Sequence, residues 1–358
     1  MKIGVIGCGY WGPNLIRNFI QSNKIRELIC CDLDQKRLAR MKVLYPSIAT
    51  TTQYEELLNM NDLDAVAVAT PVRFHYPIAK EFLLKGKHVF VEKPITDSYD
   101  SALELVKLAE EKKVKLMVGH TFEYTAAVNK IKEVVESGEL GKILYISCIR
   151  VNLGLFQQDI NVVWDLAPHD ISIILYIMGE IPESVNCQGK AHFKNGIEDV
   201  ATTTLNFRNG LIAFIHNSWL DPNKIRRTTI VGSRKMLVYD DIEPQEKIKI
   251  YDKGVDVPPY YDTFAEFQLS YRYGDIYSPR IEDYEPLKKL SEHFLDCIRD
   301  GKNPHTDGQN GLRVVSILEA ACKSLKHSGK AIAVQTAKEI GKNGQKNGNG
   351  PTVTNGGR

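Results

Sequence analysis

Glycines and an acidic residue near the start of the chain have the types and spacing of a dinucleotide site. The segment GCGYWG at 7–12 is a GxGxxG motif that follows an apolar run and precedes a helical pattern. In that setting glycines allow a tight turn and a close approach to a pyrophosphate, and the helix N-terminus offers free N–H groups. We predict that Gly7, Gly9 and Gly12 hold a dinucleotide; a glycine-rich turn without a ligand is the alternative.

Asp32 follows the second apolar run, at the position where a carboxylate accepts hydrogen bonds from the adenosine ribose. Such a carboxylate repels the 2′-phosphate of NADP, so the sequence favours NAD as the cofactor. Arg37 lies within reach of the same end of the cofactor and weakens this preference, unless it belongs only to a solvated helix face.

Two further polar segments follow predicted strands and therefore lie at the carboxyl edge of the sheet, where doubly wound folds bind ligands. Thr70-Pro71 follows the third strand, with His75 opening the next helix, and EKP at 92–94 closes the fourth strand. The ammonium group of Lys93 could donate to a substrate hydroxyl and stabilise charge that builds on its oxygen. The alternative is an ordinary surface lysine.

The segment DLAPH at 165–169 supplies a possible proton acceptor. Its i, i+4 spacing places Asp165 and His169 on one face of a helix. An imidazole there could take a proton from an alcohol near neutral pH, and the carboxylate could fix its tautomer. A helix-capping aspartate with a structural histidine explains the spacing equally well. No histidine pattern resembles a metal site, so no metal is expected.

The elements that must position these residues follow two patterns. Apolar runs alternate with helical patterns over the first 120 residues, which predicts a doubly wound parallel sheet buried on both faces. The predicted strands are 2–6, 27–32, 64–69, 88–93 and 115–120, and the predicted helices are 11–22, 35–45, 54–59, 74–85 and 98–112.

From about residue 122 the pattern changes to a helix at 124–138, a long strand from Ile143, and an apolar helix at 165–178. Strand-like stretches between 183 and 250 follow without intervening helices, and the Asn-Gly pair at 209–210 indicates a hairpin. Helices at 285–300 and 308–328 close the fold.

We therefore predict an α/β protein with two domains and a tail. An N-terminal Rossmann domain at 1–121 precedes a catalytic α/β domain at 122–335, which has a large, mainly antiparallel open sheet and includes the closing helices. The tail at 338–358 is rich in Gly, Asn and Lys, and we expect it to be disordered.

Composition limits the partners. The 358 residues carry a net charge of +2 without a basic stripe, which argues against nucleic-acid binding. No apolar run could span a bilayer and no signal peptide is evident, so we expect a cytoplasmic protein without a membrane partner. The 7 cysteines contain no CxxC pair, which favours free, buried thiols.

These motifs together resemble the Gfo/Idh/MocA oxidoreductases over about residues 1 to 333. The resemblance rests on GCGYWG (7–12), the tripeptide Ala-Thr-Pro (69–71) with His75, EKP (92–94), GHTFEY (119–124), DLAPHD (165–170) and TDGQNGLRVVSILEAA (306–321). It implies a Rossmann domain, an α/β domain on an open sheet, and NAD-dependent oxidation of a hydroxyl.

The resemblance also implies roles for single residues. Lys93 would be the catalytic lysine, joined to Pro94 by a cis peptide bond, and Asp165 and His169 would be the catalytic pair. The residues expected to line the dinucleotide, besides the glycines, Asp32, Arg37 and Lys93, are Tyr10, Trp11, Thr70, Pro71, His75, Glu92 and Trp164.

Within the family, the segments at 11–19 and 152–172 most resemble members that oxidise nucleotide-activated amino sugars, such as UDP-N-acetylglucosamine 3-dehydrogenases. We expect oxidation of a secondary ring hydroxyl, at C3 in such a sugar. A dehydrogenase of a free polyol such as inositol stays open, as does a non-catalytic dinucleotide-binding regulator. The candidate substrate residues are Tyr124, Asn152, Gln157 and Arg272, with Arg272 or Arg234 available to a diphosphate.

An open sheet would expose a broad face, which relatives of this family bury against another subunit. We therefore expect a homodimer or a homotetramer, between which the sequence does not decide.

Overall fold

The computed structural model describes residues 1–154, 156–256 and 270–336. The tail that the sequence predicts to be disordered, at 338–358, lies outside the described residues.

The first domain is built on a six-stranded parallel sheet in the order β3-β2-β1-β4-β5-β6. The order reverses between β1 and β4, so a crevice opens at the carboxyl ends of these strands. The sequence predicted every strand except β3, a short and largely exposed edge strand without an apolar run. The elements are β1 (Lys2–Ile6), α1 (Gly12–Ile20), β2 (Glu27–Cys31), α2 (Gln35–Leu44), β3 (Ala49–Thr51), α3 (Tyr54–Leu58), β4 (Ala65–Val68), α4 (His75–Leu84), β5 (His88–Val91), α5 (Tyr99–Lys112) and β6 (Leu116–Val118).

The second sheet has nine strands in the order β14-β13-β12-β11-β7-β10-β9-β8-β15. Only β7 and β10 pair in parallel among its described strands, which confirms the mainly antiparallel sheet. Its elements are α6 (Ala126–Glu136), β7 (Ile143–Val151), α7 (Val162–Met178), β8 (Ser184–Lys190), β9 (Val200–Asn206), β10 (Ile212–Ser218), β11 (Ile225–Gly232), β12 (Met236–Asp240), β13 (Ile248–Asp256), β14 (Ser270–Tyr277), α8 (Pro286–Asp300), α9 (Gly308–Lys326) and β15 (Ile332–Ala333).

Helix α7 begins earlier than the sequence predicted, at Val162 rather than Asp165. Asn161 caps it, because its side chain accepts a hydrogen bond from the backbone N–H of Trp164. Asp165 therefore lies in the first turn and is not the capping residue. Since α7 packs on the helix-covered face of the second sheet, its first turns lie beside the edge where β10 ends.

The closing helices connect the two sheets. Sequence order placed α8 with the second domain, but Leu290, Phe294 and Leu295 pack into the core of the first sheet, where Phe294 contacts Phe90. Helix α9 contributes Leu312 and Val315 to one core and its other apolar residues to the core of the second sheet. No helix in the described ranges is long and apolar enough to cross a membrane.

Candidate active site

The turn between β1 and α1 has the shape of a phosphate-binding loop. Gly7 has φ +98°, and a Cβ there would lie 2.6 Å from the carbonyl oxygen of Ala69; a Cβ on Gly12 would lie 1.9 Å from that of Gly7. At Gly9 a Cβ would meet only the Arg37 guanidinium, at 3.6 Å, so this face of the loop is open. Helix α1 begins without a side-chain cap or an early acidic residue, leaving its N–H groups to an anion. The residues fit a dinucleotide.

Asp32 lies at the end of β2, as predicted, and anchors this loop. Its carboxylate accepts the backbone N–H groups of Cys8, at 2.6 Å, and Asp34, at 2.8 Å. The Arg37 guanidinium lies 3.5 Å from the same carboxylate, so part of its charge is already offset. Tyr10, at the tip of the loop, is 92% exposed.

Glu92 joins the glycine loop to the EKP segment. Its carboxylate accepts the Trp11 indole N–H at 2.5 Å and the Lys93 backbone N–H at 3.2 Å. Burial raises the pKa of Glu92 to about 7, although Lys93 and these hydrogen bonds oppose the shift. Gly119 lies directly beside this carboxylate: a Cβ there would lie 2.7 Å from Glu92 Oε2 and would force the carboxylate to move.

Both ring nitrogens of His75, which we expected to line the dinucleotide, face backbone carbonyls. The ring is buried, with Nε2 2.8 Å from the carbonyl oxygen of Thr70 and Nδ1 2.8 Å from that of Pro94. The ring therefore links the loop that follows β4 to the loop that follows β5 through contacts with their backbone carbonyls. Pro71 is exposed on the first of these loops, and the Thr70 hydroxyl is buried without a partner in the described ranges.

Lys93 reaches from the first domain to the first turn of α7. The Lys93–Pro94 bond is cis, which confirms the prediction, and Nζ donates to the backbone carbonyl of Asp165 at 3.0 Å. That carbonyl lies one helical turn before His169. Burial lowers the pKa of Lys93, although the Asp165 and Glu92 carboxylates oppose the shift. Burial, together with the charges of Lys93 and Arg150, lowers the pKa of His169 well below its usual value.

Asp165 does not fix the tautomer of His169 in this structure. Its carboxylate accepts the Trp219 indole N–H at 2.9 Å, and no hydrogen bond joins it to His169, both residues being described. The imidazole packs edge-on against Phe122, with ring centroids 5.1 Å apart. Asp165 is therefore positioned to hold α7 against the end of β10.

A buried ion pair packs against Phe122, the aromatic residue that contacts His169. The Arg150 guanidinium donates to the Asp170 carboxylate at 2.9 and 2.8 Å, and it lies over the Phe122 ring at 4.8 Å. Since Asp170 is the neighbour of His169, this pair fixes the turn of α7 that carries the imidazole.

Sequence reasoning assigned no role to two buried side chains in this region. His120 follows β6, and Asn217 lies on β10 directly beside Arg150 of β7. Both are buried, and none of their side-chain nitrogen and oxygen atoms has a partner in the described part of the chain. A histidine at the carboxyl end of the predicted strand 115–120 was a readable signal. Asn217 had none, because a strand position does not reveal which face is covered.

Of the four substrate candidates, Asn152 and Gln157 lie where β7 and β10 end, beside the first turns of α7. Asn152 follows β7, and its backbone N–H donates to Ser218 at the end of β10, at 3.2 Å. Gln157 lines a cavity of about 360 Å³ together with Phe156 and Lys194. The Phe156 ring packs on Trp219, the partner of Asp165, with centroids 5.5 Å apart.

Tyr124 lies elsewhere, and this corrects its assignment. It is buried in the core shared with α8, and its hydroxyl pairs with Thr306 at 3.2 Å. Trp164 packs against the apolar cores of both domains and donates its indole N–H to Cys322 on α9, at 3.1 Å.

Arg272 also lies outside the site. It is on β14, at the far edge of the sheet, where it pairs with Asp252 at 3.0 Å and donates to the Arg234 carbonyl. Four strand spacings of about 4.8 Å separate β14 from β7. Arg234 bonds through its backbone N–H to Leu140, ahead of β7, whereas the site follows the end of β7. Both arginines therefore lie away from Lys93 within this chain.

Comparison with known proteins agrees with this architecture. Residues 1–120 match the Gfo/Idh/MocA oxidoreductase family, NAD-binding Rossmann fold, and residues 128–238 match the Gfo/Idh/MocA C-terminal domain.

Relatives of two activities match along most of the chain. Myo-inositol 2-dehydrogenase of Thermotoga maritima is 27% identical, covering 91% of this chain and 96% of its own. UDP-N-acetylglucosamine 3-dehydrogenase of Acidithiobacillus ferrooxidans is 24% identical, and the match covers 88% of this chain and 94% of the relative. The solved structure of the latter, GnnA, superposes with a TM-score of 0.76 at 23% identity. The superposition covers 91% of this chain and 98% of GnnA, which shows the same fold.

Since the two matched domains follow each other in the family's order and the structure has its fold, the chain belongs to the Gfo/Idh/MocA family of NAD-binding oxidoreductases.

Proposed function

We propose that this enzyme oxidises a secondary hydroxyl of a sugar ring, with Lys93 and His169 acting on that hydroxyl. The observation that carries the proposal is the hydrogen bond from Lys93 Nζ to the carbonyl of Asp165, one helical turn before His169. It joins an ammonium from the exit of β5 to the helix that bears the imidazole. A protein that only binds a dinucleotide has no need of this pair.

NAD supplies the hydride-accepting ring when it is bound. His169 takes the hydroxyl proton, for which it must be neutral, and its lowered pKa keeps it so at neutral pH. Lys93 exchanges the Asp165 carbonyl for the substrate oxygen and offsets the negative charge that builds there. Asp165 and Trp219 keep the start of α7 in place.

As substrate we propose a nucleotide-activated amino sugar such as UDP-N-acetylglucosamine, oxidised at C3 to a 3-keto sugar. The relative that acts on this compound supports the proposal. The cavity beside Phe156 and Gln157 could take the part of the substrate beyond the sugar ring. A diphosphate needs positive charge. Lys194 lines that cavity, and Arg226 of β11 lies near enough to contribute to the lowered pKa of His169.

A free polyol is the second candidate substrate, because myo-inositol 2-dehydrogenase matches at least as well. Such a substrate would need only the hydroxyl-binding groups around Lys93 and none of the cations near the cavity.

The two candidates are separated by incubating the protein and NAD with UDP-N-acetylglucosamine, its uronic acid form and myo-inositol. We expect NADH from a UDP-sugar, and a product lighter by the mass of two hydrogens. Turnover of myo-inositol alone would select the polyol dehydrogenase. NAD binding without turnover of any sugar or polyol would contradict the enzymatic proposal.

We also propose that the protein is a homo-oligomer formed through the second sheet. Tyr145, Ile212 and Phe214 lie side by side on the face opposite the helices, and each is about 40% exposed. An exposed apolar group at the centre of a large sheet is typical of a subunit interface.

A further inference from the structure

His120 is a buried imidazole that the mechanism above does not use. Its relative exposure is 1%, and neither ring nitrogen has a hydrogen-bond partner in the described ranges. Buried polar groups in native proteins are nearly always paired, because leaving one unpaired costs free energy. An unpaired imidazole at the carboxyl edge of a Rossmann sheet therefore indicates a group that pairs with a ligand.

His120 and Lys93 follow neighbouring strands of the first sheet. Val118 of β6 aligns with Val91 of β5, and the backbone N–H of Gly119 continues the ladder to the carbonyl of Val91 at 2.8 Å. Two residues beyond each aligned valine lie His120 and Lys93. Both residues lie just beyond the ends of their strands, and the charge of Lys93 reaches His120, whose pKa it lowers.

The residues on either side of His120 confirm this placement independently. Gly119 lies against the Glu92 carboxylate, and the Phe122 ring packs against His169. The segment 119–122 therefore runs from the EKP loop to the imidazole of α7, and His120 lies between the two.

The charge state of the ring fits a hydroxyl. Burial and the charge of Lys93 lower the pKa of His120 to about 3, so the ring is neutral at neutral pH. A neutral imidazole donates through one nitrogen and accepts through the other, as a hydroxyl group also does.

We propose that His120 binds the substrate hydroxyl on a ring carbon next to the one that is oxidised, C4 in the case of a 2-acetamido sugar oxidised at C3. The inference rests on the proposed function, because Lys93 must take the reacting oxygen. His120 lies near enough to Lys93 for that charge to lower its pKa, so it is placed to meet a neighbouring oxygen of the ring. His120 becomes a specificity-determining residue that requires adjacent hydroxyls in the substrate.

The test compares His120→Phe with His88→Phe as a matched control. His88 is at the opposite end of β5, where Nδ1 accepts the backbone N–H of Lys115 at 2.8 Å. We expect His120→Phe to lower kcat/KM for the sugar about 10- to 100-fold, mainly through KM, with NAD affinity and melting temperature kept. His88→Phe should lower the melting temperature and keep kcat/KM. His120→Gln, which retains a donor and an acceptor, should recover part of the loss.

A deoxy substrate makes the test specific. For UDP-N-acetylglucosamine the probe is its 4-deoxy analogue, and for another active sugar it is the analogue lacking the hydroxyl next to the oxidised carbon. The wild-type enzyme should prefer the parent sugar by the factor lost in His120→Phe, and the variant should barely distinguish the two. Equal discrimination by both enzymes, or a loss of NAD affinity in the variant, would overturn the proposal.

Failure of the proposed function would give a different result, since the wild-type protein would then oxidise no sugar or polyol. The stability measurement still decides in that case. A His120→Phe variant less stable than wild type would show a structural histidine and overturn the inference. A variant of equal or greater stability would support a ligand-binding role.

Discussion

Lys93 and Glu92 are neighbours whose pKa values move in opposite directions for one reason. Burial disfavours the charged form of each, so it lowers the pKa of Lys93 and raises that of Glu92 to about 7. Each charge in turn favours the charge of the other. Protonation of Glu92 therefore removes one of the two carboxylate charges that favour the protonated form of Lys93.

The variant Glu92→Gln tests this coupling. If Lys93 must be protonated, activity is lost as pH rises through its lowered pKa, so the alkaline limb of kcat/KM lies below 10.5. The ionised Glu92 raises the pKa of Lys93, and an amide does not, so the limb should shift to lower pH in the variant. The measurement is the rate of NADH formation across neutral and alkaline pH. An unshifted limb would mean that Lys93 does not act as the proton-bearing group.

The variants Lys93→Met and His169→Phe test the two catalytic assignments. Loss of a positioned proton donor or acceptor should lower kcat about 10²- to 10⁴-fold. NAD affinity should change little, because the phosphate loop is untouched. Turnover and NAD titration are measured beside Lys85→Met, the loss of an exposed lysine on the same domain, which should behave as wild type. Normal turnover in either catalytic variant would remove that residue from the mechanism.

At the scale of elements, the glycines of the β1–α1 turn have different functions. Gly7 and Gly12 are required by close backbone packing, whereas Gly9 faces open space beside Arg37. The motif alone predicted all three as cofactor residues and could not distinguish them. The distinction depends on backbone contacts, which Gly7 makes with Ala69 across the sheet and Gly12 makes with Gly7.

Two alanine substitutions separate these functions. Gly12→Ala should lower the melting temperature, because its Cβ would lie 1.9 Å from the Gly7 carbonyl. Gly9→Ala should keep the melting temperature and weaken NAD binding, since the methyl group occupies the face that the pyrophosphate would approach. Thermal unfolding and calorimetric NAD titration measure both. Unchanged NAD affinity in Gly9→Ala would place the pyrophosphate elsewhere.

The sequence pattern predicted the start of helix α7 three residues too late, at Asp165 instead of Val162. The apolar residues at 162–164 continue the pattern of the helix, but the capping Asn161 stands behind a loop without a clear periodic signal. Moving the start to Val162 makes the Asp165 carbonyl part of the first turn, where Lys93 can reach it.

For the whole molecule, α8 and α9 hold the two domains in one arrangement. Chain order suggested that both belong to the second domain, but apolar residues find their partners by fit and not by sequence distance. Phe294 packs on Phe90 of the first sheet, and α9 contributes to both cores. This packing fixes the distance between Lys93 and α7.

The exposed apolar face of the second sheet predicts that a charge placed on it will weaken the proposed oligomer. Phe214→Lys places a charge at the centre of the proposed interface, where burying it unpaired is costly, so the oligomer should dissociate. Sedimentation measures the mass, with Leu33→Lys on an exposed position of the first domain as the control. A Phe214→Lys protein with the mass of the wild type would exclude this face as the interface.

The sequence by itself determined the parallel sheet, the glycine turn, Asp32 at the end of β2, the EKP segment and the antiparallel second sheet. Each depends on patterns within a few residues of the chain: apolar runs, glycine at a turn, or Asn-Gly in a hairpin. Such local patterns are independent of what packs against them.

Only the tertiary structure decided which side chains meet. It joined the Lys93 ammonium to the Asp165 carbonyl and the Asp165 carboxylate to the Trp219 indole. It placed both ring nitrogens of His75 against backbone carbonyls and put Arg272 on the edge strand β14. It also left His120 unpaired beside Lys93. These outcomes depend on strand order, register and the packing of α7, which join residues far apart in the chain and therefore leave no local pattern in it.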